Sequence, residues 1–419
     1  MTYNMFSNWE EKELKDIIIC NPEEHIEKGS IVKQVNLDKL EPCHKFINGF
    51  EEVEYTGGGS KFRNYDVLFP KISSALMRKK TALVTILNPD EVGVGSNWYM
   101  VLRAIPQVTD PDFLYYLAIT PWFRELALRA LEGSSRSQYI NLPVFMKSKF
   151  FIPPYQEQCS ITKSLSVIDL KIQKNNNVCE RLEAILKRIF RAWFIDFNFP
   201  NDHNAPYKQN GGPFHSSNSN LGNIPDGWTE GCLSDLGEIV AGATPSKKIS
   251  ANYTLEEGIP WITPKDLSQS KVKYISQGAT NITQEGFESS NVTLLPTGTV
   301  LFSSRAPIGY IAIAANELTT NQGFRSIIPK EGIGSTYLYY LLLNKTEEIT
   351  NMASGSTFQE ISGAELKKLR VIIPDAHVLD LFQTKTDCLT RYQKNLEKEN
   401  RLLIAIRDNL LPLVMSGRL

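Results

Sequence analysis

Six cysteines (Cys20, Cys43, Cys159, Cys179, Cys232, Cys388) and five histidines (His25, His44, His203, His215, His377) are the residues that could hold a metal or act as nucleophile and base. Zinc sites place their ligands at short, paired spacings, and disulfide frameworks belong to small secreted chains. Here no CxxC pair occurs and no cysteine sits beside a histidine at ligand spacing, so the chain reads as reduced, cytoplasmic and without a metal. The histidines fall in polar, loop-like stretches and make no recognisable triad with a serine, which is the pattern of surface histidines. Gly57-Gly-Gly-Ser60 could cradle a phosphate on its amides, but no GxxxxGK[ST] run exists, and a hairpin tip is the better reading.

One further motif has the look of an active-site loop. Ile152-Pro-Pro-Tyr155 resembles the Asn-Pro-Pro-Tyr loop of adenine amino-methyltransferases, in which the first side chain accepts hydrogen bonds from the adenine amine. Isoleucine has no acceptor, and no glycine-rich loop follows an N-terminal strand to hold a methyl donor. The Pro-Pro pair reads instead as the start of a helix. An enzyme acting alone is therefore disfavoured.

The elements that would position any site come from a chain of 419 residues, a length for two to three domains. With 42% hydrophobic and 22% charged residues it has ample material for cores, and 45 basic against 46 acidic residues exclude a basic wrap around nucleic acid. The start lacks the pattern of a signal peptide, and no run of about 18 uncharged apolar residues predicts a membrane span.

The sequence is duplicated at an offset of about 220 residues. Trp9 answers Trp228, Val67-Leu-Phe-Pro-Lys-Ile-Ser answers Val300-Leu-Phe-Ser-Ser-Arg-Ala, and Leu114-Tyr-Tyr-Leu answers Leu338-Tyr-Tyr-Leu. Gly133-Ser-Ser-Arg answers Gly355-Ser-Thr-Phe, and Phe151-Ile-Pro answers Ile372-Ile-Pro. Each copy reads as a mixed α/β, strand-rich domain followed by a long helix. Residues 291–303 read as strand, turn, strand, Ile308 onward as a strand, and Thr336 to Ile349 as helix.

In the first helix apolar or small residues fall at Ile161, Leu165, Ile168, Ile172, Cys179, Leu182, Leu186, Ile189 and Trp193, with Asn175 as the polar interruption. In the second they fall at Phe382, Leu389, Tyr392, Leu396, Leu403, Ile406, Leu410 and Leu413, broken by Lys385 and Glu399. Steps alternating four and three predict a coiled-coil seam, here between two antiparallel helices with pseudo-two-fold symmetry. Pro412 should kink or end the second helix. The expected boundaries are 1–154 and 228–374 for the two domains, 155–198 and 375–419 for the helices, and 199–227, rich in Asn, Gly, Ser and Pro, for a surface linker.

Taken together these residues resemble the specificity subunit of type I restriction-modification systems. The resemblance is carried by Trp193-Phe-Ile-Asp-Phe-Asn-Phe-Pro, Ala205-Pro-Tyr-Lys-Gln-Asn-Gly-Gly and Ile224-Pro-Asp-Gly-Trp228 at the joint between copies. Gly258-Ile-Pro-Trp-Ile-Thr-Pro-Lys-Asp-Leu, Gly298-Thr-Val-Leu-Phe-Ser, Asn321-Gln-Gly-Phe and Leu411-Pro-Leu-Val-Met-Ser-Gly add to it, as does Tyr155-Gln-Glu-Gln158. It implies a non-catalytic subunit with two target recognition domains, each binding one half of a split, asymmetric double-stranded DNA target. It also implies that the helices dock two methyltransferase subunits, which carry the S-adenosylmethionine, and that restriction motor-nuclease subunits join them. The stretch Tyr155 to Trp193 could hold the domains up to roughly 58 Å apart at about 1.5 Å per residue.

Base readers offer directional donors and acceptors, Arg or Lys for guanine and Asn or Gln for adenine. In loops flanking the matched blocks the second domain offers Thr263, Lys265, Ser303, Ser304, Arg305, Asn321, Gln322, Thr357 and Gln359. The first offers Lys33, Gln34, Lys61, Arg63, Ser135, Arg136 and Gln138, with Gly95-Ser-Asn-Trp98 standing where the second has Asn321-Gln-Gly-Phe. Residues 1–154 hold 18 basic and 19 acidic residues and residues 228–374 hold 12 and 14, so strong DNA binding is expected only with partners present. The competing readings are the specificity subunit of a related two-component restriction-methylation enzyme, the disfavoured autonomous methyltransferase, and a coiled-coil interaction protein with no DNA role.

Overall fold

Val67–Pro70 and Val300–Ser304, matched in the sequence, are both fully buried central strands in the computed structural model, which describes residues 8–42, 44–133, 138–217, 222–305, 307–353 and 359–417. Cys43, Ser135, Arg136 and Thr357 lie outside the described residues. The fold is mixed α/β with two long helices. Its contacts divide it into two compact units, 1–175 with 400–419, and 176–399. Among the described residues no helix is long and apolar enough to cross a membrane.

The first unit contains β1 (Glu10–Glu13), β2 (Ile18–Cys20), β3 (Ile31–Val35), β4 (Glu51–Glu54), β5 (Ser60–Phe62), β6 (Val67–Pro70), β7 (Ala82–Leu83), β8 (Gly93–Gly95), β9 (Tyr99–Ala104) and β10 (Lys149–Ile152). One sheet runs β2-β9-β6-β7, all antiparallel, and a second runs β4-β3-β8-β5 with β3 and β8 parallel. β1 pairs antiparallel with β10, from Glu10 against Ile152 to Glu13 against Lys149.

The second unit repeats this plan. It contains β11 (Thr229–Cys232), β12 (Gly237–Ala241), β13 (Tyr253–Thr254), β14 (Ile259–Ile262), β15 (Tyr274–Ile275), β16 (Thr280–Ile282), β17 (Val300–Ser304), β18 (Ile308–Ala314), β19 (Thr319–Thr320), β20 (Arg325–Pro329) and β21 (Arg370–Ile373). Its main sheet runs β12-β20-β17-β18-β15 and its second β13-β16-β14-β19, with β14 and β19 parallel. β11 pairs with β21, from Thr229 against Ile373. The main sheets correspond strand for strand, with β15 added at the edge; in the second sheets β4, β3 and β8 correspond to β16, β14 and β19, while β5 and β13 lie at opposite edges without counterparts.

The expected helix after Thr336 forms as Ser335–Met352 and the strand after Ile308 as β18. Residues 291–299, expected to begin with a strand, give only a bridge from Leu295 to Leu318, because Pro296 has no N–H to extend a ladder. The stretch 199–227, expected to be a surface linker, has no buried residue from 200 to 217 but is tied down by its aromatics and by buried Phe199, Ile224 and Pro225. Tyr207 stacks on Phe199 and Phe199 on Trp228, with ring centroids 4.6 and 5.0 Å apart, and Phe214–Ser216 pairs with Asn223–Pro225.

The first long helix, α1, is Tyr155–Phe190. Gln158 is fully buried at its start, donating to the Pro153 and Val108 carbonyls and accepting from the Asp110 amide. Its expected apolar face is buried or half-buried throughout, Asn175 included. The second, α2, is Ala376–Met415, and here the reading is corrected. Tyr392, Ile406 and Leu413 are exposed, while Thr386, Thr390, Gln393, Glu397, Asn400 and Arg407 are buried with Phe382, Leu396 and Leu411. The buried face is largely polar, so the apolar residues do not trace it. Pro412 does not end the helix, which continues to Met415; so near the terminus it removes only a last-turn bond.

Each unit holds its helix segment through a buried lysine. In the first, Lys45 Nζ meets Asp112 Oδ1 at 2.7 Å and Ser166 Oγ at 2.9 Å and lies 4.7 Å over the Tyr116 ring. The Tyr116 hydroxyl donates to Asp169 Oδ2 at 2.5 Å, and Arg407 Nη1 takes Asp169 Oδ1 at 2.7 Å. In the second, Lys273 Nζ meets Tyr340 Oη at 2.7 Å and Glu183 Oε2 at 3.4 Å, 4.2 Å over the Tyr340 ring. The Tyr340 hydroxyl donates to Glu183 Oε2 at 2.8 Å, and Glu397 accepts the Lys273 and Tyr274 amides. Both tyrosines come from the repeated Leu-Tyr-Tyr-Leu.

Candidate nucleic-acid interface

In the second unit the central strand β17 ends at Ser304, and two neighbouring segments close on it. The Ser304 amide donates to the Gly323 carbonyl (2.8 Å), and the Ile361 amide donates to the Ser304 carbonyl (3.0 Å). Arg305 then bridges Glu360. Arg305 Nη1 and Arg325 Nη2 grip the two oxygens of the Glu360 carboxylate at 3.4 and 3.3 Å. At that length the carboxylate orients both guanidiniums; Arg305, 37% exposed, keeps donors outward, while Arg325, 19% exposed, gives Nη1 to the Phe324 carbonyl at 2.9 Å. Beside them Asn321 Oδ1 accepts the Gly323 amide (2.9 Å), and Gln322 takes the Thr244 hydroxyl. Gln322 and Gln359 are exposed.

Several expected readers prove to be scaffold. Ser303 and Ser304 are fully buried; Ser303 Oγ donates to the Pro307 carbonyl and accepts the Tyr310 amide, and Ser304 Oγ donates to the Gly323 carbonyl. They support the rim without reaching the surface. Short serines at the end of a central strand resemble loop serines in sequence, and only the pairing separates them. Thr263 is bound through both its amide and hydroxyl to Asp266 as a helix cap. Lys265 is exposed on that helix. Sequence reasoning did not single out Thr244 or Arg325, which the structure ties to Gln322 and Glu360.

The first unit has the same backbone frame. The Lys71 amide donates to the Trp98 carbonyl (2.9 Å), the Ile140 amide donates to the Lys71 carbonyl (3.1 Å), and Ile72 bridges Tyr139. With Val67 opposite Leu102 and Val300 opposite Ile327, the registers equate Ile72 with Arg305, Asn97 with Gln322, Trp98 with Gly323, Met100 with Arg325 and Tyr139 with Glu360. The side chains differ at every one of these positions. A Cβ on Gly323 would lie 3.1 Å from Asn321 Oδ1 and from Pro264 Cγ, whereas Trp98 stands 59% exposed.

Next to this frame lies a polar cleft of about 580 Å³ lined by Asn21, Lys61, Lys71 and Asn97 among others. Lys61 Nζ donates to the Glu24 carbonyl there (2.7 Å). Arg63 is held by Glu24 (2.8 Å), which also takes Arg103, itself forked on Asp66 at 2.7 Å. Burial pushes the Glu24 carboxyl up, but the Arg103 and Arg63 guanidiniums outweigh it and hold it below the usual carboxylate range. At Asp66 burial wins, and its carboxyl is raised despite Arg103. Lys33 Nζ is taken by Glu91 and the Ile86 carbonyl, both at 3.0 Å, and Gln34 is a half-buried strand residue. The frame thus brings Gln138 beside Tyr139, while Lys33, Gln34 and Arg63 belong to structural pairings. Among the described residues no cluster of His, Cys, Asp or Glu could hold a metal ion.

A family model described as type I restriction modification DNA specificity domain matches residues 225–407. The chain is 43% identical over 187 residues to the type I restriction enzyme MjaIX specificity subunit of Methanocaldococcus jannaschii, covering 44% of this chain and 43% of that protein. It thus spans less than half the length of that relative. It is 24% identical over 378 residues to the type I restriction enzyme HindI specificity subunit of Haemophilus influenzae, covering 78% of this chain and 81% of that one. The crystal structure of the type I restriction-modification system S subunit from M. genitalium aligns over 99% of this chain and 97% of that one, at 16% identity and TM-score 0.56.

Proposed function

We propose that the chain is a specificity subunit of a type I restriction-modification system, as the family match and the two relatives support, and that it reads a split, asymmetric double-stranded DNA sequence without catalysing a reaction itself. Residues 1–154 read one half and residues 228–374 the other. Residues 155–198 and 375–419 form an antiparallel coiled coil that spaces the two recognition domains and relates them by pseudo-two-fold symmetry. The helices dock two methyltransferase subunits, which bring S-adenosylmethionine, and restriction motor-nuclease subunits join that assembly in the cytoplasm.

The observation that carries this reading is the shared frame at Lys71 and Ser304, identical in backbone hydrogen bonding and different in nearly every exposed side chain. A duplicated scaffold with diverged rims is what two unlike half-sites require. Antiparallel helices are supported within the first unit, where Asp169 meets Arg407 and Asn175 meets Asn400, partners that fall in number as the first helix rises. In the second unit Phe190 meets Phe382, with ring centroids 6.4 Å apart. Uncovered apolar side chains on the helices of the first unit, Val167, Leu402, Ile406 and Leu413, support partner docking.

The test is to map methylated adenines in cells with and without the gene. A bipartite motif lost on deletion is the expected result; an unchanged methylation pattern overturns the reading.

A further inference from the structure

We propose that the first recognition domain reads its half-site through Asn97, Trp98 and Tyr139, with Lys71 on the flanking phosphate, and that it reads A·T pairs where the second domain reads guanine. This rests on the reading of the chain as a two-domain DNA reader and assigns the specificity-determining residues within it.

The assignment follows from the frame. In the second unit the rim around Ser304 carries Arg305, Gln322 and Arg325, with Glu360 holding both guanidiniums in place. In the first, the equivalent positions carry Ile72, Asn97, Met100 and Tyr139, with Trp98 in place of Gly323. Neither a guanidinium nor a carboxylate occupies that set. Trp98 and Tyr139 are instead 59% and 49% exposed. An indole left that far in water on a folded surface is a reason to look for something that covers it.

The Trp98 backbone is fixed on both sides, its carbonyl by the Lys71 amide and its amide by Ser96 Oγ at 3.1 Å, so the ring projects from a rigid rim. Asn97 beside it is exposed, and Lys71, also exposed, makes no ion pair among the described residues. By contrast Lys33 and Arg63 are already spent on Glu91 and Glu24.

Side-chain chemistry then divides the half-sites. A guanidinium reads the O6 and N7 acceptors of guanine, an amide reads adenine, and an apolar surface reads the thymine methyl. The first rim has an amide between aromatic rings; the second has two oriented guanidiniums beside an amide.

The experiment uses the full chain assembled with its methyltransferase subunits. Methylation rates are measured on duplexes carrying every single base-pair change in each half-site, for the wild type, Trp98→Ala with Tyr139→Ala, Asn97→Ala, Arg63→Gln and Arg305→Ala. All five positions are at least partly exposed, and melting temperatures matched to wild type establish folding. The Trp98/Tyr139 pair and Asn97→Ala should each lose about ten- to hundredfold discrimination in one half-site, at A·T pairs, leaving the other half intact. Arg305→Ala should relax a guanine in the opposite half, and Arg63→Gln should change neither. If Arg305→Ala relaxes one half while the Trp98, Tyr139 and Asn97 variants leave the other as selective as wild type, the assignment fails and the two-domain reading stands. If the half relaxed by the Trp98/Tyr139 pair contains only G·C pairs, the base assignment is overturned. If no variant alters either half and the methylation pattern survives loss of the gene, the two-domain reading itself fails.

Discussion

The inner joint and the outer rim of each unit have diverged to very different extents. Inside, the two copies keep one arrangement: a buried lysine under the second tyrosine of Leu-Tyr-Tyr-Leu, and that tyrosine's hydroxyl on a carboxylate of the first long helix, Asp169 in one and Glu183 in the other. Outside, the backbone frame is kept but its side chains are exchanged wholesale, Tyr139 for Glu360 and Trp98 for Gly323. The joint is buried, where an unmatched polar group is costly. The rim faces water, where substitutions are nearly free in stability and their consequence is for whatever binds. The difference teaches that stability and specificity are separable here, residue by residue.

Breaking the joint should have the largest effect on stability. Asp169→Ala takes the buried carboxylate from the Arg407 guanidinium, 3% exposed, leaving it the half-exposed Asp408, and removes the acceptor of the Tyr116 hydroxyl. Urea unfolding should show a loss of about 3–5 kcal/mol. Glu183→Ala should cost less, since its carboxylate is 20% exposed and lies 3.4 Å from Lys273. Equal costs would mean the two joints are alike in energy as well as in plan.

Asn175→Ala comes next. It removes one partner of a buried amide pair, Nδ2 to Asn400 Oδ1 at 2.9 Å, and should lower stability by about 1–3 kcal/mol in the same assay. Replacing both asparagines by leucine should recover most of that loss, because neither polar group is then left unmatched.

The joint of the second unit should also respond to pH. Burial lowers the Lys273 ammonium from 10.5 to about 8 against the pull of Glu183 and Glu397, while Tyr274, Tyr339, Tyr340 and Lys187 also face it. Between these values the unfolded chain holds a proton that the folded chain has released, so this group makes stability rise with pH from about 8 toward 10. Denaturant titrations at several pH values should show the rise in the wild type and its loss in Lys273→Met.

The smallest stability effect belongs to the rim. Glu360→Gln removes a carboxylate that is 35% exposed, and unfolding should change by less than about 1 kcal/mol. The same variant frees Arg305 and Arg325, so base selection in one half-site should change while the melting temperature does not. A large loss of stability would show that the rim is structural.

The duplication was legible because its matched blocks are buried central strands and helices: Val67-Leu-Phe and Val300-Leu-Phe occupy equivalent positions. The first long helix was legible because its periodic apolar residues do lie on the buried face, although Gln158, Thr162, Asp169 and Asn175 share it. The second was misread because Gln393, Glu397, Asn400 and Arg407 are buried with partners far along the chain, such as Lys273 and Asp169, that no local period reveals. Residue type offered Arg305, Asn321 and Gln322 together with Ser303 and Ser304, and could not show that the sheet buries the two serines. Nor could it show that Trp98 and Tyr139 are equivalent to Gly323 and Glu360, a relation fixed by strand register and by the bridges at Ile72 and Arg305.

The measurement that tests the account most directly is a hybrid chain in which residues 228–374 are replaced by the corresponding domain of another specificity subunit, with methylated adenines mapped genome-wide. One half of the bipartite motif should change to the donor's sequence while the other half stays as in the wild type. A motif altered in both halves, or in neither, would contradict the claim that each rim reads its own half.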